Sequence, residues 1–387
     1  MSQITPGPST PSRSGEPPQV RDGIRLRLAR LARGLSQQDL AAAAGVTRQA
    51  VAGFEAGRWD PSLRVAVALA RALGTSVEDL FAAAAELPAL DAVPLAPLPA
   101  GGARVEIGQV GTTAVAVPLS NHLPTRAGFM PCDGTTAPLA GRGTSHCAVT
   151  PLHAPRASLV VAGCDPALPL LRGPLSRLER PLGLLWWPCA SDEALRLAAA
   201  GLVHVAGFHL DKAAAGDAPA MVRRLGVAEA EIVQFASWRE GLAARPEQPV
   251  PTGLADVAHR SLRFVNREPG AEARRLVDQE LQRLGIDACE IVGYDSAAEG
   301  HLVAASAVSA RVGDVGITIE PAALAYGLSF VPLAEELSLL AIPRTHIALP
   351  EVQDLLRVLA AASVRDQLAS LPGYHDVGTC GAPLMGA

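Results

Sequence analysis

Residues 35–62 read LSQQDLAAAAGVTRQAVAGFEAGRWDPS, and this stretch carries start and stop signals for two short helices. Ser36, followed three residues later by Asp39, forms a capping-box-like pair that favours a helix start. Gly45 ends that helix, and Thr47 caps a second helix over residues 48–55. Two short helices joined by a glycine-containing turn are typical of the helix-turn-helix motif, whose second helix lies in the DNA major groove.

The helical pattern extends outward from this stretch, from about residue 21 to residue 81. Four apolar residues at helical spacing predict one apolar face on a preceding helix: Ile24, Leu28, Leu31 and Leu35. The segment from about Gly23 to Phe81 resembles the Cro/repressor-like (XRE-family) helix-turn-helix regulators, because it contains LSQQDLA, AGVTRQAVAGFEAGRWDPS and ALGTSVEDLF. The resemblance implies an all-α DNA-binding domain at residues 20–84 that binds a double-stranded operator as a homodimer.

The motif geometry and the resemblance together predict the side chains that contact DNA. Gln37 would hold a phosphate at the start of the first helix, while Arg48 and Gln49 would read guanine and adenine. Gly53 stands where many relatives place a base-reading side chain, so we expect sparse base readout. Glu55 is expected to fix the exit loop rather than to contact DNA. The predicted DNA-contacting residues are Gln37, Thr47, Arg48, Gln49, Ala52 and Arg58.

Charge is divided unevenly along the chain. The formal net charge is −5, yet residues 21–75 hold nine arginines against four acidic residues. A small basic module attached to an acidic body is typical of a nucleic-acid reader with a second function. The overall negative charge argues against a chain that coats nucleic acid or membrane along its whole length.

The composition limits the class of protein. Hydrophobic residues make up 49% and charged residues 18%, which favours buried cores over a disordered chain. The six cysteines show neither C-x-x-C pairs nor zinc-ligand spacing, so we expect reduced thiols, no metal site and no cofactor. The sequence has no signal-peptide pattern and no apolar run of the roughly 20 residues that span a membrane, which predicts a cytoplasmic protein.

Composition shifts divide the chain into segments. Prolines and small polar residues predict a disordered N-terminal tail and, after the helical module, a semi-rigid linker. The predicted segments are a tail at 1–19, the helix-turn-helix domain at 20–84, a Pro-rich linker at 85–102, a small β-rich segment at 103–150 and a sensor domain at 151–387.

Beyond residue 157, short β-branched runs alternate with Ala/Leu/Arg-rich helical stretches. This alternation predicts an α/β layer fold with a largely parallel sheet. A further amphipathic helix is predicted over residues 351–371. The predicted strands include Leu159–Val161, Val203–Val205, Glu231–Val233, Leu262–Val265 and Glu290–Val292.

The stretch RFVNREPGAEARRLVDQELQRLGID, from Arg263 to Asp287, reads as strand, turn and helix, and the helix N-terminus near Ala271 suits an anion. The body resembles the substrate-binding-protein-like domain of cytoplasmic regulators, related to periplasmic molybdate-binding proteins, from about Ala157 to Pro383. The matching stretches are AGFHL, WREGL, NREPG with R..LD, GY with HL.AA.AV, DVGI and F.PL.EE. The resemblance implies two α/β lobes, of the type II periplasmic-binding-protein kind, with a ligand cleft between them.

One departure from the family pattern bears on the ligand. Relatives read Asn-Arg-x-x-Gly-Ser-Gly-Thr-Arg, whereas Ala271, Glu272 and Ala273 stand here between Gly270 and Arg274. Two hydroxyl donors are lost, and each lost donor to a charged ligand would cost about 1.5–3 kcal/mol. An inward Glu272 would repel an oxyanion and suit a pterin-like ring with paired N–H donors. Alternatively Glu272 is solvated on the first helical turn, where it favours the helix dipole.

Several polar residues near strand ends are candidates for the ligand cleft. Ser191 either caps a helix or contacts the ligand, and His209 either orients the ligand or satisfies a strand end. Trp186, Trp187 and Trp238 are expected in core or hinge packing. The predicted ligand-binding residues are Ser191, His209, Arg239, Asn266, Arg267, Gly270, Ala271, Glu272, Arg274, Tyr294, His301 and Asp314.

These patterns predict a one-component transcription regulator that senses a small ligand. The resemblance implies molybdate, a related oxyanion or a molecule of molybdenum-cofactor metabolism. No G-x-S-x-G elbow, phosphate loop or H-E-x-x-H pattern is present, so we predict no enzyme activity. Two alternatives stay open: an enzyme or ligand carrier of molybdenum-cofactor metabolism, and a ligand-free DNA-binding dimer with a degenerate cleft.

Overall fold

A computed structural model describes residues 23–81, 87–99, 101–119, 131–137, 146–154 and 156–384. The predicted tail at 1–19 lies outside the described residues. The chain divides into two compact units, Met1–Glu86 and Leu87–Ala387. Within the described residues, no helix has both the length and the apolar character that a membrane crossing requires.

The first unit is a bundle of five helices. Its second and third helices begin where the capping pattern predicts: Ser36 closes a capping box with Asp39, and the Thr47 hydroxyl accepts the Ala50 N–H at 3.1 Å. Gly45 ends the second helix with φ +64°, a left-handed conformation that glycine adopts without strain. The helices are α1 Gly23–Ala32, α2 Gln37–Ala44, α3 Arg48–Glu55, α4 Leu63–Leu73 and α5 Val77–Phe81.

The bundle core differs on α1 from the predicted apolar face. Leu28 and Leu31 are 60% and 53% exposed, whereas Leu26 is fully buried. Leu26 packs with Leu40, Val51 and residues of α4, and these contacts form the core between the helices. The periodic leucines of α1 therefore point to solvent in this unit.

The second unit begins with a small closed barrel, and this corrects the predicted linker at 85–102. Residues 90–94 pair with residues 147–149 on one side and 115–116 on the other, so this segment is a barrel strand. Pro94 is the last residue of this strand, and Pro88 and Pro97 lie outside it, so no proline stands in the middle of the ladder. The barrel order is β1-β3-β2-β4-β5, with β1 Leu90–Pro94, β2 Arg104–Val110, β3 Thr113–Pro118, β4 Gly134–Thr136 and β5 Cys147–Pro151.

An eight-stranded mixed sheet forms the rest of the second unit. Its order is β11-β10-β12-β9-β13-β8-β6-β7. The strands are β6 Ser158–Ala162, β7 Gly183–Trp187, β8 Val205–Asp211, β9 Ala230–Ala244, β10 Phe264–Arg267, β11 Ala297–Ala298, β12 Val315–Ile319 and β13 Ser329–Pro343. The helices are α6 Arg172–Ser176, α7 Ser191–Ala199, α8 Ala218–Arg224, α9 Leu254–His259, α10 Glu272–Leu284, α11 His301–Ser309, α12 Glu320–Ala325, α13 Pro350–Leu359 and α14 Ala362–Ala369.

Two local expectations are wrong in this unit. Residues 288–290 form a 3-10 turn rather than the start of a strand, because Asp287 and Glu290 close a capping box there. The predicted helix over 351–371 is two helices, α13 and α14, separated at an extended Ala361. The break lets Val364 and Leu368 reach the same core as α13.

The long strands β9 and β13, of 15 residues each, divide the sheet into two lobes. Strands β6, β7 and β8 run parallel on one side, and β10, β11 and β12 run parallel on the other. Strands β9 and β13 are antiparallel to each other and pair with both halves. In such sheets ligands bind outside the carboxyl ends of the parallel strands, and here those ends face each other across the two long strands.

His204, directly before β8, is buried in the first lobe. The Val160 N–H donates to its Nδ1 at 2.9 Å, and its ring centroid lies 6.0 Å from that of His346. Burial, with a smaller contribution from His346, lowers the pKa of His204 from 6.5 to about 4. The folded state therefore requires the neutral ring.

We predict that His204 makes the protein sensitive to acid. The unfolded chain protonates near pH 6.5 and the folded chain near pH 4, so stability is lost as the pH falls between these values. The expected loss by pH 4 is about 3 kcal/mol of unfolding free energy. His204→Asn keeps an acceptor for Val160 and should remove this component in denaturant titrations at several pH values. Parallel pH curves for the two proteins would contradict the prediction.

Candidate functional site

The first candidate surface is the exposed side of α3. Thr47, Arg48 and Gln49 are exposed at its start, Ala52 is half-buried one turn later, and Arg58 is exposed in the exit loop. Val51 and Phe54 are buried on the opposite side. The predicted DNA-contacting side chains of α3 and its exit loop are therefore free to reach a groove.

Trp59 occupies the space beside Gly53 on this helix. A Cβ atom at Gly53 would lie only 2.2 Å from the Trp59 ring, so the indole packs directly against the glycine backbone. Trp59 itself stays half exposed to solvent, at 51%. Gly53, where we expected no base-reading side chain, is thus covered by the Trp59 ring of the exit loop.

The carboxylate of Glu55 links α3 to α1 and α2. It accepts two hydrogen bonds from Arg30, at 2.6 and 3.1 Å, and one from the Gln37 amide at 2.9 Å. Burial would raise the pKa of Glu55, but Arg30 and Gln37 outweigh that effect and lower it. Glu55 therefore ties α3 to α1 and orients Gln37 at the start of α2.

The second candidate surface lies in the two-lobed unit, on one face of the long strands. Glu336 stands opposite Trp238 in the β9–β13 register, and Ser338 stands opposite His209 in the β8–β13 register. Alternate residues of a strand share a face, so Glu240 lies on the same side as Trp238. The register thus places an imidazole, an indole and two carboxylates together.

The second lobe adds further groups to this face. His301, the first residue of α11, lies with its Nδ1 3.6 Å from the nearer Glu240 oxygen. Arg267, at the end of β10, donates to the same His301 Nδ1 at 2.6 Å. Cys164, after β6, lies beside His209, with donor atoms of Cys164, His209 and His301 all within 4.8 Å of one another. We call Cys164, His209, Trp238, Glu240, Arg267, His301 and Glu336 the cleft cluster.

Every member of the cleft cluster is buried, and this shifts its ionisation. Burial, then the Glu336 carboxylate, raises the pKa of Glu240 well above its usual range, and burial raises the pKa of Glu336 to about 8. Burial alone would lower the pKa of His209, but Cys164 and the carboxylate of Glu240 raise it to about 9. Burial and the neighbouring Arg267 guanidinium keep the pKa of His301 well below its usual value.

Several polar atoms of the cleft cluster have no hydrogen-bond partner among the described residues. They are both carboxylate oxygens of Glu240, Nε2 of His301 and Nε1 of Trp238. By contrast, His209 Nδ1 bonds the Glu336 carboxylate, and Arg267 holds Glu268 through two bonds of 2.7 and 2.9 Å. Unpartnered buried polar atoms are costly, so their concentration at one point makes the cleft cluster the candidate ligand site of this unit.

Three predicted ligand residues meet in the cleft cluster, namely His209, Arg267 and His301. Ser191 lies beside it: its buried hydroxyl accepts the His209 backbone N–H at 3.3 Å and makes no capping bond. Asn266, on β10, donates its side-chain amide to the Tyr294 carbonyl and accepts the Arg267 N–H, so its side chain is held by the protein itself.

The start of α10 holds Gly270, Ala271 and Glu272. Gly270 has φ +88° and faces the Asp192 side chain. Glu272 pairs with Arg275, whose other side donates to Asp192 at 3.2 Å. Asp192 belongs to the first lobe and Arg275 to the second, so this ion pair crosses the cleft. Glu272 is therefore neither a free inward carboxylate nor fully solvated.

The side chains of the remaining predicted residues lie outside the cleft cluster. Arg274 donates to the backbone carbonyl of Arg267 at 3.2 Å, and its guanidinium lies over the Tyr294 ring at 4.5 Å. The Tyr294 hydroxyl donates to Asp278 on α10. Asp314 binds Arg263 and Arg245 before β12, where the hydrogen bonds from Arg263 lower its pKa. Arg239 points to the opposite face of β9 and pairs with Glu320.

Sequence reasoning missed Cys164, Glu240 and Glu336. The two glutamates lie within WREGL and F.PL.EE, stretches that resemble the family, but their buried face depends on strand register. A charged residue inside an otherwise apolar strand was the available signal. Cys164 carries no such signal, since it follows β6 as an isolated cysteine.

Comparison with known proteins agrees with both units. Residues 26–80 match the family described as helix-turn-helix, and residues 173–360 match the PBP superfamily domain. An uncharacterized HTH-type transcriptional regulator of Methanocaldococcus jannaschii is 40% identical over 57 residues, which are 15% of this chain and 86% of that protein.

The chain belongs to the helix-turn-helix family. Its XRE-type domain at the N-terminus is followed by a periplasmic-binding-protein-like α/β domain, so the multidomain fold class predicted from the sequence is confirmed.

Two further similarities concern the second unit of this helix-turn-helix protein. The uncharacterized protein YvgK of Bacillus subtilis is 29% identical over 179 residues, or 45% of this chain, and the matched part spans 57% of that relative's length. A putative phosphate ABC transporter substrate-binding protein from Clostridium perfringens has a TM-score of 0.43 and 12% identity, covering 55% of this chain and 96% of that one.

We predict that Glu55→Ala unfolds or strongly destabilises the helix-turn-helix unit. The Arg30 and Glu55 side chains are only 8% and 4% exposed, so the variant leaves a buried guanidinium without its partner. Breaking such a pair costs about 3–5 kcal/mol. The measurement is the unfolding free energy from denaturant titration followed by circular dichroism.

Asp60→Ala, which removes an exposed carboxylate from the same exit loop, serves as the control. It should change the stability by less than about 0.5 kcal/mol. Equal losses from the two substitutions would show that the Arg30–Glu55 pair is not a structural brace.

Proposed function

We propose that this protein is a one-component transcription regulator, in which the helix-turn-helix unit binds operator DNA and the two-lobed unit senses a small ligand. The observation that carries the proposal is the exposed start of α3, where Arg48 and Gln49 face solvent on a helix capped by Thr47. Both side chains offer the bidentate hydrogen bonds that read purines in the major groove. Relatives of this domain carry the name HTH-type transcriptional regulator.

The operator contact requires more than one copy of the module. A single helix-turn-helix unit reads one half-site, and dimers read two half-sites about one helical turn apart. We propose a homodimer on a two-fold operator, acting in the cytoplasm. Ligand-dependent movement of the lobes would then change the spacing of the two α3 helices and so the affinity for DNA.

The two-lobed unit supports a sensing role rather than a catalytic one. The Arg275–Asp192 ion pair joins the lobes across the cleft, and the cleft cluster lies at the same mouth with unpartnered polar atoms. A molecule that bridges these groups would favour the closed arrangement of the lobes. The contact therefore provides a physical route from ligand binding to lobe closure.

The family resemblance implies a molybdate-like oxyanion, and we keep this ligand as the alternative. Its anchor would be the N–H groups at the start of α10, which favour anions. Against it, Glu272 pairs with Arg275 at this helix start, and two carboxylates occupy the cleft cluster. An oxyanion would have to displace or neutralise these negative charges.

We predict that Arg48→Ala weakens binding to the selected operator by about 5- to 150-fold, which corresponds to the roughly 1–3 kcal/mol of a bidentate base contact. Gln49→Ala should do the same at a different base. The operator is first selected from a random DNA pool with the full chain. Affinities are then measured by fluorescence anisotropy on the operator and on single-base variants.

Arg71→Ala is the charge-matched control, because Arg71 is exposed in the last turn of α4 rather than on α3. It should weaken specific binding only slightly and leave base preference unchanged. If Arg48→Ala and Arg71→Ala lose equal affinity without any change of base preference, α3 is not the recognition helix.

A further inference from the structure

We propose that the cleft cluster binds a divalent transition-metal ion of the zinc class through His209, Glu240 and Glu336. This inference deepens the proposed function and rests on it, because it names the class of ligand that the two-lobed unit senses. It departs from the expectation of no metal site, which was based on the spacing of cysteines and histidines along the sequence.

The geometry provides the donor set. One ligand atom each from His209, Glu240 and Glu336 lie within 4.8 Å of one another, and all three side chains are buried. His209 Nδ1 contacts the Glu336 carboxylate and lies 3.8 Å from a Glu240 oxygen. Ligand atoms around a tetrahedral metal lie roughly 3.3–3.8 Å apart when the bonds are about 2.0–2.3 Å long. The Glu240 oxygen already lies at this separation from His209 Nδ1, and the His209–Glu336 hydrogen bond would open for both atoms to bind the ion.

A cation can bind the cluster in place of protons. Arg267 carries a positive charge, but Glu268 holds its guanidinium through two hydrogen bonds. A divalent ion that displaces the protons of Glu240 and Glu336 would offset the two carboxylates that result, since buried charges are normally paired or coordinate metals.

The unpartnered oxygens of Glu240 support the same conclusion. Neither has a hydrogen-bond partner among the described residues, although the side chain is 0% exposed. Leaving buried carboxyl oxygens without a hydrogen-bond donor is costly, whereas a metal ion that displaces the proton would use their lone pairs. The feature is thus an unpartnered group that is aimed at the other two donors.

The type of donor selects the class of metal. Imidazole suits Zn²⁺, Fe²⁺, Co²⁺ and Ni²⁺, whereas Mg²⁺ and Ca²⁺ prefer sites built from oxygen alone. A metal-bound histidine also needs a partner for its second ring nitrogen, and the Cys164 sulfur lies within 4.8 Å of a ring nitrogen of His209. A second donor group, Cys164 with His209 and His301, adjoins the first and adds soft character.

The position of the site connects binding to the lobes. Glu240 and Glu336 lie on the two long strands, β9 and β13, that join the lobes, and His209 belongs to β8 of the first lobe. His301 of the second lobe stands 3.6 Å from Glu240. An ion held here contacts the first lobe and both connecting strands, so it would fix the hinge at which the second lobe meets them.

The test measures Zn²⁺ and Co²⁺ binding to the full chain, without an affinity tag, after removal of metal with a chelator. Competition with a chromophoric chelator gives the affinity, and Mg²⁺ and Ca²⁺ are the comparison ions. We expect one Zn²⁺ per chain. Glu240→Gln and Glu336→Gln should each weaken it by at least about 100-fold, since losing even an outer partner of a metal ligand costs about 10- to 100-fold.

Glu335→Gln is the matched control. Glu335 neighbours Glu336 on β13 but points to the opposite side, where its side chain is 66% exposed near Lys212. It should leave Zn²⁺ affinity unchanged. If all three variants bind Zn²⁺ like the parent chain, or lose affinity equally, the metal lies elsewhere on the surface and the proposal is overturned.

Thermal unfolding distinguishes a variant that has lost the metal site from a variant that is misfolded. Without metal, Glu240→Gln should melt near the parent temperature, because burial already favours the uncharged form of Glu240, which glutamine resembles in size and polarity. Zn²⁺ at a hundred times Kd should raise the parent transition by about 5–10 °C and leave Glu240→Gln unmoved. A variant that melts lower without metal and still responds to Zn²⁺ contradicts the proposal.

Two further arms separate this inference from the proposed function. Operator affinity is measured with and without Zn²⁺, and the same thermal assay is repeated with molybdate, tungstate and sulfate. If the chain binds its operator specifically and Zn²⁺ has no effect on that affinity, the metal assignment is overturned and the proposed regulator function stands. The same holds if the unfolding temperature rises with oxyanions but not with Zn²⁺. If the parent chain shows no sequence-specific DNA binding, the proposed regulator function is overturned, whether or not Zn²⁺ binds.

Discussion

The antiparallel pairing of β9 with β13 is the constraint on which the second unit depends. These strands join both lobes, and their register sets Glu336 opposite Trp238 and Ala334 opposite Glu240. An irregularity between Pro332 and Ala334 adjusts the ladder at the point where the lobes meet. Because a shift of one residue moves every side chain to the other face, this register decides whether two carboxylates are buried together or exposed.

That register lowers the free energy of unfolding, because it buries carboxyl groups. Burying two carboxyl groups together is costly, because each must either keep a proton, as their raised pKa values indicate, or find a charged partner. His209 is the partner that β8 supplies to Glu336. The surrounding core of leucines, valines and alanines contributes the stability that offsets this cost. Residues that weaken a fold are expected where function requires them, so the location of this cost indicates the site more clearly than any cavity does.

How much the sequence predicts depends on how local the signals are. The capping bonds of Ser36 and Thr47 are formed within one helical turn, and both helices begin where these residues predict. Strand β1 was hidden because its partners, β3 and β5, follow it far along the chain, while prolines dominate its surroundings. Glu240 and Glu336 were missed for the same reason, since pairing across distant segments sets their environment.

The altered fingerprint of α10 can be explained by the same geometry. An anion site at a helix start needs free N–H groups and no competing carboxylate. Here Glu272 holds Arg275, and Arg275 reaches Asp192 in the first lobe, so side chains of the protein itself occupy the place where an anion would join the lobes. With that contact supplied internally, the cleft cluster is left as the place where a ligand can join the long strands to the lobes. The cation that we propose there would displace the protons of Glu240 and Glu336 and so be held by two buried carboxylates.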